Sequence, residues 1–255
     1  MVRSITSSLY KLFKDRPFRV TLIIGLCLAV MFTLIYHGTD IGATGSYMLE
    51  TSSSPTNNFG VAVPINLVAF IVGEYNYGTI RNKIISGNRR VNIYVSLFIT
   101  GIIFSFILML AYVGLSVSLG SALDGWGDLT DGVEIAAIIG ISALTYVMLS
   151  AVALFFASLF KHQGLAITCT TLLIFSGLIT AIIYFSVNGS DHITHIDYWL
   201  FAINPLAYHA LSTMTFSVLR VDASESLLPC VVSCLGYTMI FLSMGIFLFT
   251  KNDIK

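Results

Sequence analysis

Six stretches of this chain, residues 20–37, 57–73, 92–119, 134–160, 164–187 and 227–250, contain no Asp, Glu, Lys or Arg apart from Glu134 at the first position of the fourth. In helical form about 20 apolar residues match the hydrocarbon thickness of a bilayer. Uniform runs of this length, without alternation at every second residue, argue for helices over a barrel, because a helix satisfies its backbone groups within one segment. The second run is short for a crossing; the third and fourth are long. Composition agrees: 56% of the 255 residues are hydrophobic and only 10% charged, with a mean hydropathy of +0.87, where a soluble domain carries roughly 25% charged residues. Basic residues precede the first run, as in a signal peptide. That run is too long for an h-region, however, and LIYHGTD offers no small-residue cleavage site, so it reads as a retained helix. The expectation is an all-α integral membrane protein, a single transmembrane domain over residues 1–255 with six crossings.

Charge placement orients it. Arg3, Lys11, Lys14, Arg16 and Arg19 precede the first run, Arg81, Lys83, Arg89 and Arg90 lie between the second and third, Lys161 between the fourth and fifth, and Lys251 and Lys255 after the sixth. The alternate connectors, 38–56, 120–133 and 188–226, hold only Arg220. The positive-inside rule therefore predicts cytoplasmic N and C termini, with residues 74–91 on the same side.

Within the runs no ionisable constellation offers itself. Ion-coupled transport needs charged groups at membrane depth, and intramembrane hydrolysis needs a carboxylate pair, a metal cluster or a nucleophile beside a base. Hydroxyls and amides are what remain: Asn66, Thr168, Thr171, Ser176 and Thr180 are candidates for lining a pathway, and equally for holding helices together. Cys27, Cys169, Cys230 and Cys234 all fall in apolar runs and read as small buried hydrophobes, with neither a disulfide framework nor metal spacing.

The connector EYNYGTIRNKIISGNRR, residues 74–90, is the densest charge cluster. On a helical wheel Tyr77, Ile80 and Ile84 share one side and Thr79, Asn82, Lys83 and Ser86 the other, predicting an amphipathic helix of about three turns that Gly87 stops. It reads either as an interfacial anchor or as a rigid knob for a cytoplasmic partner. A second amphipathic helix is expected over residues 1–19, with Ile5, Leu9, Leu12 and Phe13 opposite Ser4, Lys11 and Lys14, and with Pro17 marking the break.

Residues 188–226 form a connector too aromatic to hang in water. Asn204-Pro205 divides it into two pieces predicted to dip into the outer leaflet, with Trp199 and Tyr208 at headgroup level. His192, His195 and Asp197 alone make a weak metal motif, so no metal site is expected.

The order Glu74, Gly78, Thr79, Arg81, Lys83, Ser86, Arg89 and Tyr94, together with the ending Phe249-Thr-Lys-Asn-Asp-Ile-Lys255, resembles type-2 ABC exporter permeases. A proline often found before Arg89 and a lysine often found after Tyr94 are absent. The resemblance implies that residues 3–16 act as a connecting helix and residues 75–87 as a coupling helix seated on a separate ATPase subunit. The implied ATPase-coupling residues are Glu74, Tyr77, Gly78, Thr79, Ile80, Arg81, Lys83, Ile84 and Arg89, with Glu74 at the hinge, either paired to Arg81 or to a partner's charge or left as a solvated interfacial carboxylate. Trp199, Asn204, Pro205 and Tyr208 would belong to re-entrant helices closing the pathway to the outside.

No Gly-x-x-x-x-Gly-Lys-Ser/Thr phosphate loop occurs, so the chain has no ATPase of its own and no cofactor is expected in it. ATP and Mg would be bound by a partner, and the working unit implied is two permeases, identical or related, with two copies of a nucleotide-binding ATPase subunit. The expected chain is a non-catalytic subunit of a bacterial plasma membrane exporter, surrounded by membrane lipid, with no nucleic acid partner. An uncharged pathway suits an amphipathic substrate such as a peptide toxin, bacteriocin, drug or lipid-like molecule, and the compact size resembles permeases of Gram-positive peptide exporters, including lantibiotic self-protection and phenol-soluble modulin systems. The alternatives are an integral membrane enzyme or a lipid-binding scaffold without an ATPase, and a stand-alone transporter or channel.

Overall fold

A computed structural model describes residues 2–39, 42–55, 59–127, 132–160, 162–188, 204, 206 and 223–251. Among them the chain forms helices α1 (Val2–Lys14), α2 (Arg16–His37), α3 (Gly45–Ser53), α4 (Ala62–Asn76), α5 (Thr79–Ile85), α6 (Arg90–Asp124), α7 (Gly132–Phe160), α8 (Gln163–Asn188) and α9 (Ala223–Lys251). The described residues include no strand. Five helices are long and apolar enough to cross a membrane: α2, α6, α7, α8 over Gln163–Thr180, and α9 over Cys230–Lys251. This is an all-helical protein of multi-pass membrane type.

The second apolar run behaves differently. Its helix, α4, has 15 residues, about 22 Å at 1.5 Å per residue, against roughly 30 Å of hydrocarbon. Residues 38–56, expected as a loop, contain α3 instead. That helix starts at the Asp124 end of α6, where the Gly45 and Ser46 amides donate to the Gly125 and Trp126 carbonyls at 2.9 and 2.8 Å. At the opposite end α4 brings Tyr75 against Phe249 of α9, ring centroids 6.2 Å apart. Between the two helices Phe59 lies against Gly25 of α2 and 5.3 Å from Tyr112 of α6. Thus α3 and α4 lie toward opposite ends of α6.

Hydropathy hides α3 because GSYMLETSS is rich in hydroxyls, yet the helix is buried on most sides. Its hydroxyls turn back on its own backbone. Thr51 donates to the Tyr47 carbonyl at 2.9 Å, Ser53 to that of Glu50 at 3.4 Å, and Ser52 to that of Met48. A hydroxyl satisfied in this way can be buried at little cost.

Helix α7 is central, touching α3, α4, α6, α8 and α9. Of its apolar window 67% is buried, against 22% for α8 and α9 and 28% for α2, so the last three present outward faces suited to lipid. Packing rather than water exclusion holds such helices together, and hydroxyl pairs such as Ser105 of α6 and Ser150 of α7, 3.1 Å apart, add to it. Cys230 and Cys234 are buried, as expected, but Cys27 is exposed on the outward face of α2.

Candidate functional site

The connector between α4 and α6 is where charge concentrates, and two glycines shape it. Gly78 adopts φ +66° and separates α4 from α5; Gly87, at φ +86°, ends α5. Its amide donates to the Ile84 carbonyl at 2.9 Å and that of Asn88 to the Lys83 carbonyl at 3.3 Å, closing the helix end. The connector helix α5 therefore has seven residues rather than three turns.

The left-handed turn also changes which residues share a face. Helical phase does not run through Gly78, so Tyr77 parts company with Ile80. Thr79, Ile80, Lys83 and Ile84 face inward, with Ile80 only 1% exposed. Outward lie Tyr77 (80% exposed), Ile85 (73%), Arg81, Asn82, Ser86 and Arg89. The wheel expected Tyr77 with the two isoleucines and Thr79 with Lys83 opposite them. The structure corrects both, and it adds Ile85 as an outward apolar group.

Glu74, at the end of α4, is 1% exposed. Lys11 of α1 brings its Nζ to 2.5 Å from Oε1, and Lys83 of α5 brings its Nζ to 3.4 Å from Oε2. Oε1 has no aligned hydrogen-bond donor among the described residues, so the Lys11 contact is Coulombic. Lys11 also donates to Thr79 Oγ1 at 3.0 Å and lies 5.3 Å from the Tyr77 ring centroid. Lys83 donates to Ser8 Oγ at 2.7 Å. The expected partner Arg81 is instead exposed. A single buried carboxylate thus ties α1, α4 and α5 together. A carboxylate taken out of water in this way stays charged only with cations held against it.

Helix α1 packs by a different face from the one its pattern suggested. Ser8 and Leu12 are buried, whereas Tyr10 and Phe13 are 63% and 52% exposed. Phe13 therefore leaves the expected Ile5, Leu9 and Leu12 stripe, because Ser8 and Lys11 are drawn inward to the connector. Pro17 opens α2 at its first turn.

Of the proposed pathway residues, four turn a polar group back on the backbone of their own helix. Asn66 donates to the Ala62 carbonyl at 2.8 Å. Thr168, Ser176 and Thr180 donate to the carbonyls of Gly164, Leu173 and Ser176 at 2.9, 2.6 and 2.7 Å. Thr171 Oγ1 is buried with no hydrogen-bond partner among the described residues. Of the outer-gate residues Asn204 is half-buried. Trp199, Pro205 and Tyr208, with His192, His195 and Asp197, lie outside the described residues.

Sequence reasoning missed Lys11 and Ser8 as partners of the connector. They stand 63 and 75 residues from Glu74 and Lys83, and no local pattern marks such contacts. It also missed two buried phenols: the Tyr75 hydroxyl has no hydrogen-bond partner among the described residues, and that of Tyr94 lies beside Ser158. No protein-family model matches this chain, and no curated protein matches it.

Proposed function

We propose that the chain is the permease subunit of an ATP-driven exporter of the type-2 ABC kind, worked by ATPase subunits that it does not encode. One observation carries this reading. The connector exposes Tyr77, Arg81, Ile85 and Arg89 on one side, while Ile80 and the Glu74 ion pairs lock its other side to α1 and α4. Large apolar groups ringed by cations, on a helix that cannot move without its neighbours, suit a lever seated in a partner's groove.

On this reading α3 and α4 together make the sixth crossing, and both termini lie in the cytoplasm of a bacterial plasma membrane. Two ATPase copies, holding ATP and Mg, press on two permeases, and displacement of α5 passes through Glu74 to α4 and through Lys11 to α1. The bundle then alternates between inward-closed and outward-open forms around an amphipathic substrate.

The test is to purify the chain through a tag from cells that produce it naturally and to look for a soluble ATPase that comes with it. Wild type should retain the ATPase and hydrolyse ATP, and Tyr77→Asp with Ile85→Asp should lose both while the chain itself keeps the unfolding temperature of wild type purified without ATPase. Retention of the ATPase by that double variant would refute the assignment.

A further inference from the structure

We propose that the elbow between α1 and α2 docks on an anionic phospholipid leaflet, with Lys14, Arg16 and Arg19 against the headgroups and Tyr10 and Phe13 at their level. The inference rests on α2 facing lipid and is independent of any ATPase.

The elbow is built from an exposed sequence of chemistries. Tyr10 and Phe13 project from the face of α1 opposite its buried Ser8 and Leu12. Three exposed cations follow within six residues, Lys14, Arg16 and Arg19. Val20, Ile23 and Ile24, all exposed, then begin the outward stripe of α2. Aromatic rings, cations and aliphatic groups in that order match what a leaflet offers from its surface inward.

Charge selects the kind of leaflet. None of the three cations is ion-paired among the described residues. Lys14 Nζ sits 4.6 Å from the Tyr10 ring centroid, and Arg19 Nη2 donates to the Lys14 carbonyl at 3.3 Å, which holds both side chains at the elbow with hydrogens to spare. The single acid between them is Asp15. Burial pushes its carboxyl above the ordinary carboxylate range, with Lys11 and, more weakly, Arg19 pulling it back. Zwitterionic headgroups would satisfy the rings but not three exposed cations, whereas phosphatidylglycerol supplies one net negative charge per headgroup.

Because α1 also carries Lys11 on Glu74, the same helix that rests on the headgroups holds the connector. Leaflet charge would thereby bias how firmly α1 presses on α4 and α5.

The purified full chain, in an uncharged detergent and without ATPase, is titrated with phosphatidylglycerol or phosphatidylcholine while thermal unfolding and native mass are followed. Wild type should bind phosphatidylglycerol at least ~10-fold tighter, on the scale set by three near-surface cations, and 0.5 M NaCl should abolish the preference. Lys14→Gln with Arg16→Gln and Arg19→Gln should remove it, whereas Arg81→Gln with Arg89→Gln should retain it. Tyr10→Ser with Phe13→Ser should weaken both lipids alike. Should the triple variant fail to fold, the salt titration of wild type decides alone. Equal affinity of wild type for the two lipids, a preference that survives the triple substitution or salt, or an equal effect from inorganic phosphate would overturn the proposal.

Discussion

Lys11 Nζ stands 2.5 Å from Glu74 Oε1, although the two residues are 63 apart in sequence and lie on different helices. Lys83 reaches the other oxygen from a third helix, so the carboxylate is shared by two cations of unlike exposure. The Lys83 side chain is 10% exposed and that of Lys11 38%. Lys11 can fall back on water when its partner is lost; Lys83 cannot. Removing one member of a buried ion pair costs about 3–5 kcal/mol, and removing an exposed one less than 1. Glu74→Gln should therefore lower the unfolding temperature by several degrees. Lys83→Met should cost more than Lys11→Met because its loss leaves Glu74 with the more exposed cation. Equal, negligible shifts in a thermal melt would mean that the carboxylate does not hold the three helices.

Stability and coupling should separate on the two faces of α5. Ile80 is fully buried, and Ile80→Ala is expected to cost about 2–4 kcal/mol. Tyr77→Ala and Ile85→Ala remove exposed groups and should stay within about 0.5 kcal/mol of wild type. If the proposed function holds, these two, and not Ile80→Ala at permissive temperature, should reduce ATPase retention. Paired melts and pull-downs on the three variants check the division. A loss of ATPase only with Ile80→Ala would place the contact on the wrong face.

Long-range periodicity was legible; short-range phase was not. Apolar runs over residues 92–119, 134–160, 164–187 and 227–250 predicted α6, α7, α8 and α9 to within a few residues, since a membrane helix is specified by apolarity alone. Hydroxyl-rich α3 escaped because Thr51, Ser52 and Ser53 look polar in the sequence but spend their hydrogens on the backbone of the preceding turn. At the connector, Gly87 correctly marked a helix end, whereas Gly78 acted as a second break that a continuous wheel overlooked. That one left-handed residue exchanged the roles of Tyr77 and Lys83. The pairing of Glu74 depended on docking α1 across the bundle, which no window of sequence contains.

Gly25 and Phe59 should behave as a coupled pair. A Cβ added at Gly25 would lie 2.7 Å from Phe59 Cζ, inside any normal contact. Gly25→Ala alone is therefore expected to cost about 1–3 kcal/mol through overpacking, despite the better helix propensity of alanine. Phe59→Ala alone loses about 3–5 kcal/mol with its ring. In combination the clash disappears, so the double variant should be more stable than the two losses summed, by an interaction energy of 0.5 kcal/mol or more. Strict additivity in a double-mutant cycle of thermal melts would show that the ring does not rest on α2.

Tyr75 and Tyr94 bring the last prediction. Their rings flank Phe249, with centroids 6.2 and 5.5 Å from it; the buried Tyr75 hydroxyl has no hydrogen-bond partner among the described residues, whereas Ser158 stands beside that of Tyr94. The Tyr94 hydroxyl points at Gly245, where any Cβ would collide with it, and this close approach fixes how α6 meets α9. An unsatisfied buried hydroxyl costs about 1–3 kcal/mol, whereas the ring that carries it contributes packing. Tyr75→Phe should thus raise the unfolding temperature, and Tyr94→Ala should lower it sharply. Gly245→Ala should be destabilising in wild type and better tolerated beside Tyr94→Phe, which relieves part of the collision. A clear fall in stability on Tyr75→Phe would instead show that its hydroxyl is paired in the folded protein, and the packing of α4 on α9 would then owe as much to that hydrogen bond as to the rings.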